Sequence, residues 1–128
     1  MEDDVKVLLI EDDEFAAEMY RVRLVADGYT VVIGATGEEG LRIATEESPD
    51  FIYLDLRLPK LDGFEVLERL RATPATAQIP VIILSNYGDP ETRERGLRLG
   101  ALDFLVKADT TPHQLAVRVG QTAGAPAA

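Results

Sequence analysis

Five short runs of mostly apolar residues recur along the chain, and they restrict its possible folds more than any other feature of the sequence. The residues of each run follow one another without the polar alternation of a half-buried strand. Such runs are typical of parallel strands that are buried on both faces of a sheet. The runs are Val5–Ile10, Tyr29–Ile33, Phe51–Leu54, Ile79–Leu84 and Leu102–Val106.

Segments with helical signals follow each of these runs. In the first segment Phe15, Met19, Val22 and Ala26 form an apolar stripe at helical spacing. The fourth segment, Pro90–Leu99, has a thin apolar face, so we expect it to be held less firmly than the others. Strands that alternate with helices in this way predict parallel pairing with right-handed crossovers. The other helices are predicted over Gly37–Ala44, around Phe64, Leu67 and Leu70, and from Thr111-Pro112 to an early end at Gly120.

The composition is that of one globular domain. A chain of 128 residues with 46% hydrophobic residues can bury one core, and we predict a domain over residues 1–122 with a flexible tail over residues 123–128. Cysteine is absent, and no apolar run approaches the length of a membrane span. The formal net charge of −10 disfavours direct contact with nucleic acid. We therefore expect a cytoplasmic protein with neither a nucleic acid nor a membrane as its partner.

Acidic residues, a serine and a lysine stand at the ends of four of the predicted strands. Glu11 and Asp12 come after the first strand, and Asp55 ends the third. Ser85 ends the fourth strand and Lys107 the fifth. Because the carboxyl ends of parallel strands share one edge of the sheet, we expect these five side chains to lie close together.

This set of side chains suits phosphoryl chemistry. Neighbouring carboxylates repel, and a hard cation such as Mg²⁺, which takes oxygen ligands, removes that penalty. An ionised aspartate can attack phosphorus to form an acyl phosphate. A lysine can neutralise the transferred charge, and a serine hydroxyl can hydrogen-bond a phosphoryl oxygen.

At these positions the chain resembles the receiver domains of two-component response regulators, and it is similar to the single-domain, chemotaxis-type regulators. The resemblance runs from about Val5 to about Thr122. The matching segments are Val7–Asp13, Asp50–Pro59, Leu61–Gly63, Ile79–Ser85 and Gly100–Lys107.

The resemblance implies a fold and a role for each residue of the site. The fold would be a doubly wound, flavodoxin-like α/β fold, with five parallel strands in the order 2-1-3-4-5 and helices on both faces. Asp55 would be the phosphoacceptor, and Ser85 and Lys107 would contact the phosphoryl group. Phe104 would change rotamer together with Ser85. The implied ligands of Mg²⁺ are Glu11, Asp12, Asp55 and the main-chain carbonyl of Arg57.

Four positions around the site are expected to tune its chemistry. Asn86 stands where the family commonly has a small residue, and Ala108 stands where it commonly has proline after the lysine. The sequence allows either isomer of the Lys107–Ala108 bond. Arg57 and Tyr87 lie two residues beyond Asp55 and Ser85, and we hypothesise that they shield the phosphoryl group from water.

The leading functional prediction is a phosphoacceptor switch rather than an enzyme. The phosphoryl group would come from a histidine kinase or a histidine phosphotransfer protein, and a downstream protein would bind the face formed by the fourth helix, the fifth strand and the fifth helix. One alternative is a receiver-like scaffold that no longer takes phosphate. The other is a phosphatase with an aspartate nucleophile, although Arg57 stands where such enzymes have a second aspartate.

Overall fold

The computed structural model describes residues 4–124, which form one parallel sheet with helices on both of its faces. The strand order is β2-β1-β3-β4-β5, and all four pairings are parallel. This topology confirms the predicted doubly wound fold. The strands are β1 (Lys6–Ile10), β2 (Thr30–Gly34), β3 (Phe51–Asp55), β4 (Val81–Ser85) and β5 (Asp103–Val106).

Within residues 4–124, five α-helices and one short 3₁₀ turn connect and flank the strands. Residues of β1 alternate between two cores, with Leu8 and Ile10 in one and Val7 and Leu9 in the other. Burial of both faces explains why the strand residues are apolar without alternation. The helices are α1 (Glu14–Ala26), α2 (Gly37–Glu47), α3 (Gly63–Ala72), α4 (Pro90–Arg98) and α5 (Pro112–Ala123), and the 3₁₀ turn is Lys107–Asp109.

The apolar stripe predicted for α1 is wrong as the buried face of that helix. Phe15 is 91% exposed, and Met19 and Val22 are each about half exposed, at 49% and 53%. Ala26 is exposed as well. The buried residues are instead Ala17, Tyr20 and Leu24, which also recur at helical spacing. Both faces of α1 carry apolar residues, so periodicity alone could not distinguish the face that meets the sheet.

Several predicted element boundaries shift by a few residues. Helix α5 continues through Gly120 to Ala123, so Gly120 does not end it as predicted. Tyr29 lies against this glycine, with its hydroxyl 3.1 Å from where a Cβ would stand. Strand β4 begins at Val81 rather than at Ile79, directly after Pro80. The last four residues of the predicted tail, 125–128, lie outside the described residues, as do residues 1–3.

Aspartates cap three of the helices that begin near the carboxyl edge of the sheet. Asp13 accepts hydrogen bonds from the main-chain N–H groups of the first turn of α1. Asp62 does the same for α3 and Asp89 for α4. These caps satisfy N–H groups that a helix cannot pair internally, so they fix where each helix starts above the sheet edge. Between residues 4 and 124, none of the helices combines the length and the apolar composition that a membrane span requires.

Candidate functional site

The predicted site residues meet at the carboxyl edge of the sheet. Glu11 directly follows β1, and its main-chain N–H donates to the Gly34 carbonyl at the end of β2. Asp55 is the last residue of β3 and Ser85 the last of β4. Lys107 is the first residue after β5. Parallel pairing therefore brings together residues that lie up to 96 positions apart in the sequence.

Three carboxylates form the floor of this site. Glu11, Asp12 and Asp55 each place a carboxylate oxygen within 4.8 Å of the others. Glu11 and Asp55 are buried, whereas Asp12 is exposed. Main-chain N–H groups orient the two buried carboxylates, with Asp13 donating to Glu11 at 3.1 Å and Arg57 donating to Asp55 at 3.2 Å. The cluster therefore has one open side, formed by Asp12.

Lys107 bridges the two buried carboxylates. Its Nζ lies 2.6 Å from Glu11 Oε1 and 3.4 Å from Asp55 Oδ2. All three side chains are largely removed from solvent, so their charges are screened much less than charges on an open surface. One ammonium thus faces two carboxylates, with a third carboxylate beside them.

Burial and charge shift the pKa values of this group. Burial, the largest influence, raises the pKa of Glu11 from 4.5 to about 7, and the charge of Asp55 acts in the same direction. The hydrogen bond from Lys107 opposes this rise. For Lys107 itself, burial disfavours the charge, but the hydrogen bond to Glu11 and the carboxylate charges outweigh it and raise its pKa. The site therefore has more negative charge than Lys107 alone can neutralise.

The donor set fits a hard divalent cation. Three carboxylates with oxygen atoms this close are the ligand type that Mg²⁺ prefers. A bound cation would also offset the Asp55 charge, which together with burial raises the pKa of Glu11. Glu11, Asp12 and Asp55 would hold the ion. The contribution of the Arg57 carbonyl stays a prediction.

Binding of Mg²⁺ is expected to depend on pH. The pKa of Glu11 is about 7, so at lower pH its carboxyl group is mostly protonated. That proton must leave before the carboxylate can act as a ligand. We expect the affinity for Mg²⁺ to be about tenfold weaker at pH 6 than at pH 8. Isothermal titration calorimetry in buffers of different ionisation enthalpy would measure both the affinity and the proton released. Glu11→Gln should flatten the dependence, and equal wild-type affinities at the two pH values would contradict the prediction.

Ser85 ends the strand that lies next to the strand ending in Asp55. Ser85 is buried, and its Oγ accepts a hydrogen bond from the Tyr87 N–H at 3.2 Å. The guanidinium of Arg57 stacks on the Tyr87 ring, 4.4 Å from its centroid. The structure thus brings together two of the four predicted tuning positions, Arg57 and Tyr87, which lie on different loops. The other two, Asn86 and Ala108, are exposed and directly follow Ser85 and Lys107.

Phe104 belongs to the buried core and is not one of the residues of the carboxylate cluster. It is 1% exposed, belongs to the core on the α2–α3 face of the sheet, and pairs in register with Ile83 of β4. The peptide bond after Lys107 is trans, as are all the others between residues 4 and 124. His113 lies elsewhere, with its Nδ1 2.8 Å from an Arg23 guanidinium nitrogen.

Sequence reasoning missed the part that Gly63 plays in the site. A Cβ on Gly63 would stand 2.5 Å from the Asp55 carbonyl oxygen and 2.6 Å from Leu56 Cα. The start of α3 therefore packs directly on the backbone that carries Asp55. The Asp62-Gly63 pair is typical of a turn and a helix start, but nothing local indicates the close approach to Asp55.

Comparisons with known proteins agree with this geometry. Residues 7–119 match the family model of the response regulator receiver domain. The chain is 38% identical over 111 residues to the "DNA-binding dual master transcriptional regulator RpaA" of Synechocystis sp., and 42% identical over 101 residues to the "Transcriptional regulatory protein AfsQ1" of Streptomyces coelicolor. These matches cover 87% and 79% of this chain but only 46% and 44% of the relatives.

Solved structures match the chain over almost its whole length. The chemotaxis protein CheY4 of Vibrio cholerae superposes with a TM-score of 0.87 at 28% identity, covering 94% of this chain and 99% of that one. The receiver domain of the Francisella response regulator 1452 gives 0.85 at 30%, covering 93% and 96%. The chain thus spans less than half of these two curated relatives but nearly all of these solved receiver domains. The family match, together with the fold, shows that the chain belongs to the response regulator receiver domains of two-component systems.

Proposed function

We propose that this domain is a switch in which Asp55 accepts a phosphoryl group from a phosphohistidine of a histidine kinase or phosphotransfer protein. The observation that carries the proposal is the position of the Asp55 carboxylate. It is buried, 3.4 Å from the Lys107 ammonium, and within 4.8 Å of the carboxylates of Glu11 and Asp12. We place this reaction in the cytoplasm.

The transfer exchanges one bond to phosphorus for another. An Asp55 carboxylate oxygen attacks the phosphorus, the P–N bond to the histidine breaks, and the imidazole leaves and picks up a proton from solvent. When bound, Mg²⁺ would neutralise charge on the phosphoryl oxygens and on the attacking carboxylate. Glu11 and Asp12, together with Asp55, would hold the ion, and Lys107 would neutralise charge that remains on the phosphoryl group.

Ser85 would transmit the presence of the phosphoryl group on Asp55 to the rest of the domain. Its oxygen accepts from the Tyr87 N–H, so its O–H can donate to an incoming phosphoryl oxygen. Movement of Ser85 toward that oxygen would displace the 86–89 connection and make room for Phe104. The face formed by α4, β5 and α5 would then present a changed surface to a downstream protein.

Two other functions fit the site less well. A phosphatase of the aspartate-nucleophile type uses a second aspartate where this chain has Arg57, whose side chain stacks on Tyr87. A scaffold that has lost phosphorylation would not need the buried set of Glu11, Asp55 and Lys107, which is costly to maintain without a role. The relative named as DNA-binding is more than twice as long as the matched region, and the net charge of −10 makes nucleic acid an unfavourable partner for this domain.

The decisive experiment is phosphorylation by acetyl phosphate with Mg²⁺, followed by intact mass spectrometry. We expect one added phosphoryl group, none with Asp55→Asn, and none after chelation of Mg²⁺. Asp109→Asn, which alters an exposed aspartate two residues beyond Lys107, should behave as the wild type. Absence of an adduct with both acetyl phosphate and a phosphohistidine donor would favour the scaffold, and turnover of unrelated phosphomonoesters would favour the phosphatase.

Arg57 and Tyr87 are expected to prolong the life of the acyl phosphate. Arg57 lies two residues beyond Asp55 and its side chain stacks on Tyr87, so the pair would limit the approach of an attacking water to the phosphoryl group. Arg57→Ala or Tyr87→Ala removes a contact of the cation–π type and should shorten the lifetime about threefold or more. Loss of the phosphoryl group can be followed by intact mass after removal of the donor. Arg98→Ala serves as the control, and unchanged lifetimes in both loop variants would sink the idea.

A further inference from the structure

Apolar packing holds α4 weakly. Among its residues, all of which the structure describes, only Gly96 is buried, and Leu97 is 40% exposed. Gly96 lies so close to β4 that a Cβ would stand 2.6 Å from Ile83 Cδ1. The loop before the helix makes a similar contact, since a Cβ on Gly88 would stand 2.5 Å from Val106 Cγ2. Both contacts use bare backbone, which buries little apolar surface.

Two arginine side chains, Arg93 and Arg95, provide further contacts between this helix and its neighbours. Arg93 Nη1 donates to the Phe104 carbonyl at 2.9 Å, and Arg93 Nη2 lies 3.4 Å from Asp103 Oδ1. Arg95 stacks on the Phe64 ring of α3, 4.2 Å from its centroid. Arg98 is different, because its ion pair is with Glu94 of the same helix.

The hydrogen bond from Arg93 reaches a carbonyl of the edge strand of the sheet. β5 is an edge strand, so it has a neighbouring strand on one side only. An edge carbonyl that loses its partner can be solvated by water, so breaking this bond costs far less than breaking one inside the sheet. The other oxygen of Asp103 accepts from Arg118 of α5 at 2.7 Å. The Arg118–Asp103 contact would therefore still join β5 to α5 after the Arg93 contacts break.

We propose that Arg93 is a tether that sets the equilibrium between a seated and a released α4, because its guanidinium joins the helix to the Phe104 carbonyl and to Asp103. The tether acts on the same strand that carries the core residue Phe104. Where it concerns phosphorylation, the proposal rests on the proposed function: displacement of Ser85 and the 86–89 connection would strain the N-terminal end of α4 and break the tether.

Hydrogen exchange measured by mass spectrometry on the whole chain tests the tether without phosphorylation. Arg93→Ala should make the amides of α4 exchange about tenfold faster, with α3 and β3 unchanged. Alanine favours helix at least as well as arginine, so intrinsic propensity cannot cause that increase. Arg93→Lys keeps the charge but loses the planar guanidinium with its several N–H donors. Its α4 exchange rate should lie between those of the wild type and Arg93→Ala. Arg98→Ala should match the wild type.

Two results would overturn the proposal at this stage. One is an α4 exchange rate in Arg93→Ala equal to that in Arg98→Ala. The other is a parallel increase in α3, which would indicate general destabilisation rather than release of one helix. Thermal unfolding of each variant shows whether the variant folds. Arg93→Lys weakens the same contact less than alanine does, so its α4 exchange rate gives a second test if Arg93→Ala fails to fold.

A second arm adds acetyl phosphate and Mg²⁺. Wild-type α4 should then exchange faster, and Arg93→Ala, already released, should gain less. An adduct on Asp55 without any change in wild-type α4 exchange would refute the tether as a switch while leaving the phosphoacceptor function intact. Absence of an adduct would contradict the proposed function, and the comparison of unphosphorylated variants would still decide the tether.

Discussion

Replacing Lys107 with methionine should slow phosphorylation of Asp55 by acetyl phosphate on the order of 100-fold. The ammonium lies 3.4 Å from Asp55 and is the cation closest to the attacking carboxylate. Methionine keeps an unbranched side chain of similar length but brings no charge and no N–H donor to a phosphoryl oxygen. The rate of adduct formation, followed by intact mass at fixed Mg²⁺, measures the effect.

The same substitution should destabilise the fold, and more so at alkaline pH. Glu11 has a folded-state pKa of about 7 against an ordinary value of 4.5, so its neutral form stabilises the fold. That contribution is complete below pH 4.5 and is lost as the pH rises through about 7. Without Lys107, two charged carboxylates remain buried together at pH 8, at a cost of about 3 kcal/mol. At pH 5.5 protonation of Glu11 should remove much of this loss.

Lys60→Met is the matched control for both measurements. Lys60 is exposed in the loop between β3 and α3, which follows the carboxyl end of β3 just as Lys107 follows that of β5. We expect wild-type phosphorylation and wild-type stability from this variant. Urea unfolding of the apoprotein at the two pH values gives the free energies, and a Lys107→Met variant that is equally stable at both would show that Glu11 does not titrate as described.

Gly63→Ala is expected to destabilise the domain by about 3 kcal/mol and to impair phosphorylation at the same time. The new Cβ would meet the Asp55 carbonyl oxygen at 2.5 Å and Leu56 Cα at 2.6 Å. Both are backbone atoms, so no rotamer change can relieve the overlap. Either α3 moves away from the sheet or β3 shifts with Asp55 attached to it, and the second response displaces the phosphoacceptor from Lys107.

Gly120→Ala provides the comparison for that substitution. Its Cβ would lie 3.1 Å from the Tyr29 hydroxyl, at the end of a side chain, and the gain in helix propensity offsets the tight contact. Its free energy of unfolding should stay within about 1 kcal/mol of the wild type. A Gly63→Ala protein that is as stable and as readily phosphorylated as Gly120→Ala would refute the close-packing argument.

Much of the fold was readable because its signals are local. Residues Val7 to Ile10 are uniformly apolar since both faces of β1 are covered, and that pattern does not depend on which helix covers which face. α1 shows the limit of this reasoning. Its two apolar faces have similar spacing, and only the packing against Leu9 and Leu84 selects Tyr20 and Leu24 for the core.

The sequence by itself determined the strand–helix order and the residues that end each strand, because both depend on neighbours along the chain. From these, parallel pairing predicts that Glu11, Asp55 and Lys107 share one edge. Tertiary structure alone decided the Lys107–Glu11 hydrogen bond, the approach of Gly63 to Asp55 and the bond from Arg93 to Phe104. These contacts depend on ångström-scale distances between elements that are remote in sequence, and no local periodicity encodes such distances.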